Sequence, residues 1–133
     1  MLIGLDFDGV ILDYEGVDDY WKIDVFEFKP VSEGVIELLN ENKVGLILTG
    51  REDLLPVLLW VAKYAPGYCG EINSAESFGG SKGLYCKWRG VDLFVDDSDK
   101  WCDDIRRWGV KVLQFSKERF GCPKRMLMFF GYL

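Results

Sequence analysis

The run Leu2-Ile3-Gly4-Leu5-Asp6-Phe7-Asp8-Gly9-Val10 constrains the fold of this chain more than any other stretch. It reads as a short apolar strand that empties into two carboxylates spaced i, i+2 and then a glycine. Side chains alternate along a strand, so Asp6 and Asp8 start on the same side, where the strand stops. Gly9 lets the backbone turn sharply at that point. Two acids at the end of a buried strand are costly unless positive charge lies between them. A divalent cation together with a phosphate would satisfy such a site.

Two further apolar runs, Val44–Leu48 and Val91–Val95, look like strands buried on both faces, as in a parallel sheet. Val110–Phe115 is a fourth candidate and Tyr68–Asn73 a weaker fifth. Helical patterns fall between them at Val31–Asn42, with Ser32 as its expected N-cap, and at Asp53–Tyr64, Lys82–Arg89 and Lys100–Trp108, which Gly109 ends. Alternating β and α elements predict an α/β fold: a three-layer, doubly wound, mainly parallel sheet. Residues 1–133 are expected to form a single domain, 133 residues being near the common domain size.

Ligands of such sheets bind at the carboxyl ends of the strands. The polar residues of this chain gather there: Asp6 and Asp8 after the first strand, Thr49-Gly50-Arg51 after the second, Asp96-Asp97-Ser98 after the third clear one. Gly79-Gly80-Ser81 leads into a helix that begins with Lys82. Carboxylates are hard oxygen ligands suited to Mg²⁺. Thr49, the Gly50 amide and Lys82 are donors for phosphate oxygens. Asp6 has the chemistry of a nucleophile toward phosphorus, and Asp8 that of its acid and base. Lys82 is preferred to Lys87 for the phosphate, since loops feeding helix starts make anion sites. The chain has no histidine, which excludes Ser-His-Asp and Cys-His catalysis. Its four cysteines form no C-x-x-C pair and are expected to be small buried hydrophobes.

Taken together, LIGLDFDGV, GLILTGR, a lysine and DLFVDDSD resemble the haloacid dehalogenase (HAD) superfamily of aspartyl-phosphate phosphohydrolases, from Met1 to about Phe115 and in that family's order. The resemblance implies a Rossmann-like core. It implies Asp6 as nucleophile and metal ligand, and Asp8 as general acid/base with its backbone carbonyl on the metal. Thr49 would bind phosphate, and Asp97, with Asp96 beside it, would hold Mg²⁺. Aspartate at position 8 favours a phosphatase over a dehalogenase. A further acid often follows the fourth motif, and Asp99, Asp103 and Asp104 are candidates. Residues 10–29 are too few for the cap domain that many members carry, so a short flap is expected instead. Capless members tend toward large or extended substrates, or borrow a cover from another subunit. The expected partner is therefore a phosphorylated substrate, with a nucleotide, a nucleic-acid end or another extended molecule as candidates. Within the flap, Phe26 and Phe28 are expected to pack onto the sheet. Tyr14, Tyr20 and Trp21 divide evenly between packing and stacking on a base or sugar.

Charge is uneven. Residues 1–104 hold 21 acids and 9 bases, whereas 105–133 hold one acid and seven bases. An acidic chain is not a general nucleic-acid binder. The basic segment 116–133 and its neighbours read first as a solvated face, and second as a guide for an anionic substrate. The apolar end Met126–Leu133 is expected to dock on the core as an edge strand or helix, with dimerisation as the alternative, so monomer and homodimer both stay open. No run approaches 18 apolar residues and no signal-peptide pattern opens the chain, so a cytoplasmic protein without a membrane partner is expected. Two rival functions compete with the phosphatase. One is a receiver-like module phosphorylated on aspartate, against which the D-x-D-G order argues. The other is a catalytically silent relative that binds only phosphate or protein.

Overall fold

The computed structural model describes residues 1–14 and 17–133, with the Trp21 side chain also outside what is described. A five-stranded parallel sheet is built from β1 (Ile3–Leu5), β4 (Leu46–Thr49), β5 (Glu71–Ser74), β6 (Leu93–Asp96) and β7 (Val112–Gln114), in the order β5-β4-β1-β6-β7. A two-stranded antiparallel hairpin, β2 (Leu12–Asp13) with β3 (Lys29–Pro30), pins the flap, Leu12 opposite Pro30. The helices are α1 (Glu33–Asn40), α2 (Leu55–Tyr64), α3 (Lys82–Arg89), α4 (Asp99–Arg107), α5 (Lys117–Phe120) and α6 (Pro123–Phe129). No cap domain is present among the described residues.

Alternation along the strands produces the layers. Ile3, Leu5, Ile47, Leu93 and Val95 face a core filled by Val35, Leu38 and Leu39 of α1, Val57, Trp60 and Val61 of α2, and Met126 and Leu127 of α6. Leu46, Leu48 and Phe94 face the opposite core, against Tyr85 and Cys86 of α3 and Cys102 and Ile105 of α4. The three central strands, β1, β4 and β6, are buried on both faces, which is why they read as apolar runs. Gly4, in the central strand, lies under Phe94, whose ring would meet a Cβ there at 2.7 Å.

The chain builds the sheet outward from β1 through β4 to β5, then crosses to β6 and β7. Strand order therefore reverses between β1 and β6, and the crevice at a topological switch point is where such sheets bind ligands. Asp6 leaves one side of that crevice, and Asp96 and Asp97 leave the other.

Three local expectations need correction. Ser32 occupies the N-cap position of α1, but its hydroxyl makes no capping bond. That oxygen is buried without a partner among the described residues, beside Gly34 where Cys122 and Lys124 of the α6 start close in. Of the cysteines, Cys86 and Cys102 are buried, but Cys69 is exposed and Cys122 half-buried, since both sit in loops rather than on an inward helix face. Phe28 packs against the core, whereas Phe26 stays partly exposed, its ring against Tyr64 and under the Lys63 ammonium. The apolar end does dock as a helix: Met126 and Leu127 are buried, and Met128, Phe129 and Phe130 remain exposed. No helix among the described residues is long and apolar enough to cross a membrane.

Candidate active site

The first strand positions its acids by simple alternation. Phe7, between them, turns into the core and meets Trp60 edge-on at 5.5 Å. Asp6 and Asp8 turn the other way, and both line a cavity of about 780 Å³. Gly9 then adopts φ +88°, and a Cβ there would lie 2.0 Å from Asp97 Oδ2. The residue after the acid pair must therefore be glycine twice over, for its backbone conformation and for the carboxylate lodged against it.

Lys82, the first residue of α3, reaches under the sheet edge with no exposed surface. Its ammonium donates to Asp6 Oδ1 at 2.8 Å and to Asp96 Oδ2 at 2.7 Å. Asp104 fixes the start of this helix by accepting from Ser81 Oγ at 3.0 Å and from the Gly83 amide at 2.9 Å. Lys87 lies on the exposed side of α3. Asp96 is fully buried, and its second oxygen accepts from the Ser98 amide at 3.0 Å. Its neighbour Asp97 opens into the cavity wall and accepts from the Tyr14 hydroxyl at 3.1 Å. Carboxylate oxygens of Asp6, Asp96 and Asp97 all lie within 4.8 Å of one another.

Asp8 is held differently. Arg51 donates to its two oxygens from Nε and Nη2, each at 2.8 Å. Thr49, at the end of β4, is fully buried, and its hydroxyl accepts from the Arg51 amide at 3.1 Å. Ser74, at the end of β5, donates to the Arg51 carbonyl at 2.5 Å and so braces the same turn. Gly50 lies in the cavity wall, where a Cβ would meet the Trp101 ring at 2.9 Å.

Three carboxylates around one ammonium leave negative charge in excess. Burial, and then the Asp96 charge, hold Asp6 well above the usual carboxylate range, and Lys82 offsets this only in part. Burial and Asp96 raise Asp97 as well. For Lys82, burial alone would favour the neutral amine, but Asp6 and Asp96 outweigh it and hold the ammonium above its ordinary range. An all-oxygen donor set with uncompensated negative charge fits a hard divalent cation such as Mg²⁺.

The residues anticipated from the sequence thus fall into two layers. Asp6, Asp8, Gly50 and Asp97 line the cavity, while Thr49, Lys82 and Asp96 lie buried outside its wall. The Asp8 carboxylate points to Arg51 instead of joining the three-acid cluster. Of the additional acids, Asp104 anchors α3, Asp99 accepts from Gln114 at 2.6 Å, and Asp103 faces Arg106 on the surface at 3.6 Å. Sequence reasoning did not anticipate Trp101, Ser74 or the role of Asp104. It left Tyr14 and Tyr20 undecided. Tyr14 and Tyr20 both line the cavity, stacked at 4.5 Å, with the Arg51 guanidinium 5.9 Å from the Tyr20 ring. None of the seven C-terminal bases is among the described residues that line it. Lys117 instead pairs with Asp13, and Lys124 with Glu37.

No protein-family profile and no curated protein matches this chain. Solved structures do share its fold. A chain of the Pnkp1/Rnl/Hen1 complex aligns with TM-score 0.61 and 20% identity, over 86% of this chain and 45% of that one. In a second structure of this RNA repair complex, a chain aligns with TM-score 0.63 and 20% identity, over 86% and 42%. A HAD family enzyme of Bacteroides thetaiotaomicron, solved as a magnesium complex, aligns with TM-score 0.56 and 14% identity, over 86% and 92%. At these identities the likeness is one of fold, a Rossmann-like parallel α/β sheet flanked by helices. The chain spans less than half the length of the RNA-repair chains it matches.

Proposed function

We propose that this protein is a Mg²⁺-dependent phosphomonoester hydrolase that works through an aspartyl-phosphate on Asp6, with residues 1–133 acting as one unit. The observation that carries this reading is the convergence of Asp6, Asp96 and Asp97 within 4.8 Å, in excess over the buried Lys82, with Asp6 and Asp97 open to a cavity. Asp6 and Asp97 would hold Mg²⁺ with Asp96 beside them, and the Asp8 main-chain carbonyl is the further ligand the family resemblance suggests. When bound, the cation offsets the repulsion between a phosphate dianion and these acids.

Asp6 then attacks phosphorus, and the bond to the leaving oxygen breaks as Asp8 gives that oxygen a proton. In the second step Asp8 takes a proton from water, which attacks the phosphorus, releases inorganic phosphate and restores the Asp6 carboxylate. The Gly50 amide, in the cavity wall, is a donor for the transferring phosphoryl oxygens, whereas Thr49 and Lys82, buried behind that wall, would have to turn toward the cavity to add theirs. Arg51 holds the Asp8 carboxylate in the resting site; trading it for a phosphate oxygen frees Asp8 to take from solvent the proton that it then gives to the leaving oxygen. The cavity has room beyond a phosphate, and its Tyr14, Tyr20 and Trp101 rings suit a planar or sugar leaving group. The two RNA-repair neighbours support a nucleotide or a nucleic-acid end as that group.

The test is hydrolysis of p-nitrophenyl phosphate, nucleoside monophosphates and phosphate-ended oligoribonucleotides, in Mg²⁺ and in EDTA, beside Asp6→Asn. Turnover that needs Mg²⁺ and vanishes in the variant is expected. Turnover surviving either change would overturn the mechanism, and phosphate release from none of the three classes would overturn the activity.

A further inference from the structure

We propose that Tyr14 is a positioning residue for the cation: its hydroxyl fixes the Asp97 carboxylate from outside the ligand set. The inference rests on the cation reading of the Asp6, Asp96 and Asp97 cluster.

Asp6 and Asp96 are locked by the same buried ammonium. Asp97 lies just past the end of β6, beyond that lysine's two bonds, and opens to the cavity. Its Oδ2 is crowded by the Gly9 backbone on one side and bonded by the Tyr14 hydroxyl at 3.1 Å. The bond joins residues 83 apart in sequence, so the flap reaches directly onto an acid of the opposite strand end. Tyr14 is in turn steadied by its stack on Tyr20 at 4.5 Å and 23°.

The chemistry of the donor matters. A second ammonium at Asp97 would neutralise it and weaken its pull on a cation. A phenol hydroxyl orients the carboxylate without bringing a positive charge to it. Such bonds from outside the ligand set hold a ligand's rotation, and losing one typically costs about 10- to 100-fold in metal affinity.

The experiment is titration of the metal-free protein with Mg²⁺ alone, followed by the intrinsic tryptophan fluorescence, to which Trp101 in the cavity wall contributes, and by the Mg²⁺-dependent rise in melting temperature. Tyr14→Phe keeps the ring and its stack but lacks the hydroxyl. Its Mg²⁺ Kd is expected to rise at least about tenfold, with the melting temperature in EDTA unchanged. A double-mutant cycle completes the test: in an Asp97→Asn background, Tyr14→Phe should add nothing further. A Tyr14→Phe Kd equal to that of the wild type, or a loss that persists in full beside Asp97→Asn, overturns the inference alone. Failure of the wild type to bind Mg²⁺ overturns the cation reading, and this inference with it.

Discussion

Asp6 and Asp8 leave one strand end two residues apart, yet the molecule holds them by different means. Asp6 is clamped from beneath by Lys82, which is wholly buried and shared with Asp96. Asp8 is gripped from the cavity wall by Arg51, whose guanidinium lies against the Tyr20 ring. The sheet half of the site is fixed by burial and charge, and the other half by groups that an incoming substrate can reach. A nucleophile benefits from a locked position, whereas a group that must give and later accept a proton needs a partner that can let go. The comparison teaches that the D-x-D spacing supplies two identical side chains whose surroundings differ, and the proposed mechanism draws its two roles from that difference.

The sharpest way to break this contrast is at Asp6. Asp6→Asn should abolish turnover, by at least about 10⁴-fold as for loss of other nucleophiles. It should not unfold the protein, because it removes a charge that burial and Asp96 already disfavour. Steady-state kinetics beside a thermal melt in EDTA would read both effects, and a variant that is inactive only because it is unfolded would contradict the assignment. Next in size is Lys82→Met. It leaves buried Asp6 and Asp96 without their counter-ion and should cost about 3–5 kcal/mol by denaturant unfolding in EDTA. Added Mg²⁺ should recover part of that loss.

Arg51→Ala tests the reachable half. It should lower kcat by about 10²- to 10³-fold, with a stability loss well below that of Lys82→Met. If the two variants proved equally destabilising, the division between a fixed and a releasable half would fail. A smaller effect separates the halves by pH. Asp6 is raised, so between its ordinary and its raised value the folded chain binds more proton than the unfolded chain. Its contribution is present at low pH and lost as pH rises through the raised value. In EDTA, the wild type should therefore lose melting temperature relative to Asp6→Asn as pH climbs from the ordinary carboxylate range through the raised value of Asp6. Saturating Mg²⁺ should flatten the difference.

Much of this architecture was legible because it is built from local signals. Double burial makes the central strands read as apolar runs, and Lys82–Arg89 matches its helix residue for residue. The β2–β3 hairpin escaped notice because two-residue strands leave no periodicity. Ser32 takes the N-cap position of α1 as its sequence suggests, but its hydroxyl makes no capping bond. The tie from Tyr14 to Asp97 and the hold of Asp104 on the α3 start are contacts between distant segments, which no local spacing encodes. What the sequence conveyed was which residue types reach the sheet edge. Which acid each base would choose depended on packing.

The smallest effect is expected at Lys124, and it sharpens the comparison by holding distance constant. Its ammonium lies 2.6 Å from Glu37, as close as Lys82 lies to Asp96 at 2.7 Å. Both Lys124 and Glu37 keep substantial solvent contact, whereas Lys82 and Asp96 have none. Water screens the first pair and competes for its hydrogen bonds, and ordering two long side chains offsets most of the Coulomb gain. Lys124→Ala should therefore leave the melting temperature within experimental error, at low salt and high salt alike, and leave turnover untouched. A clear loss at Lys124 would mean that separation alone sets the strength of these pairs. The contrast drawn between the buried and the reachable parts of the site would then have no physical basis.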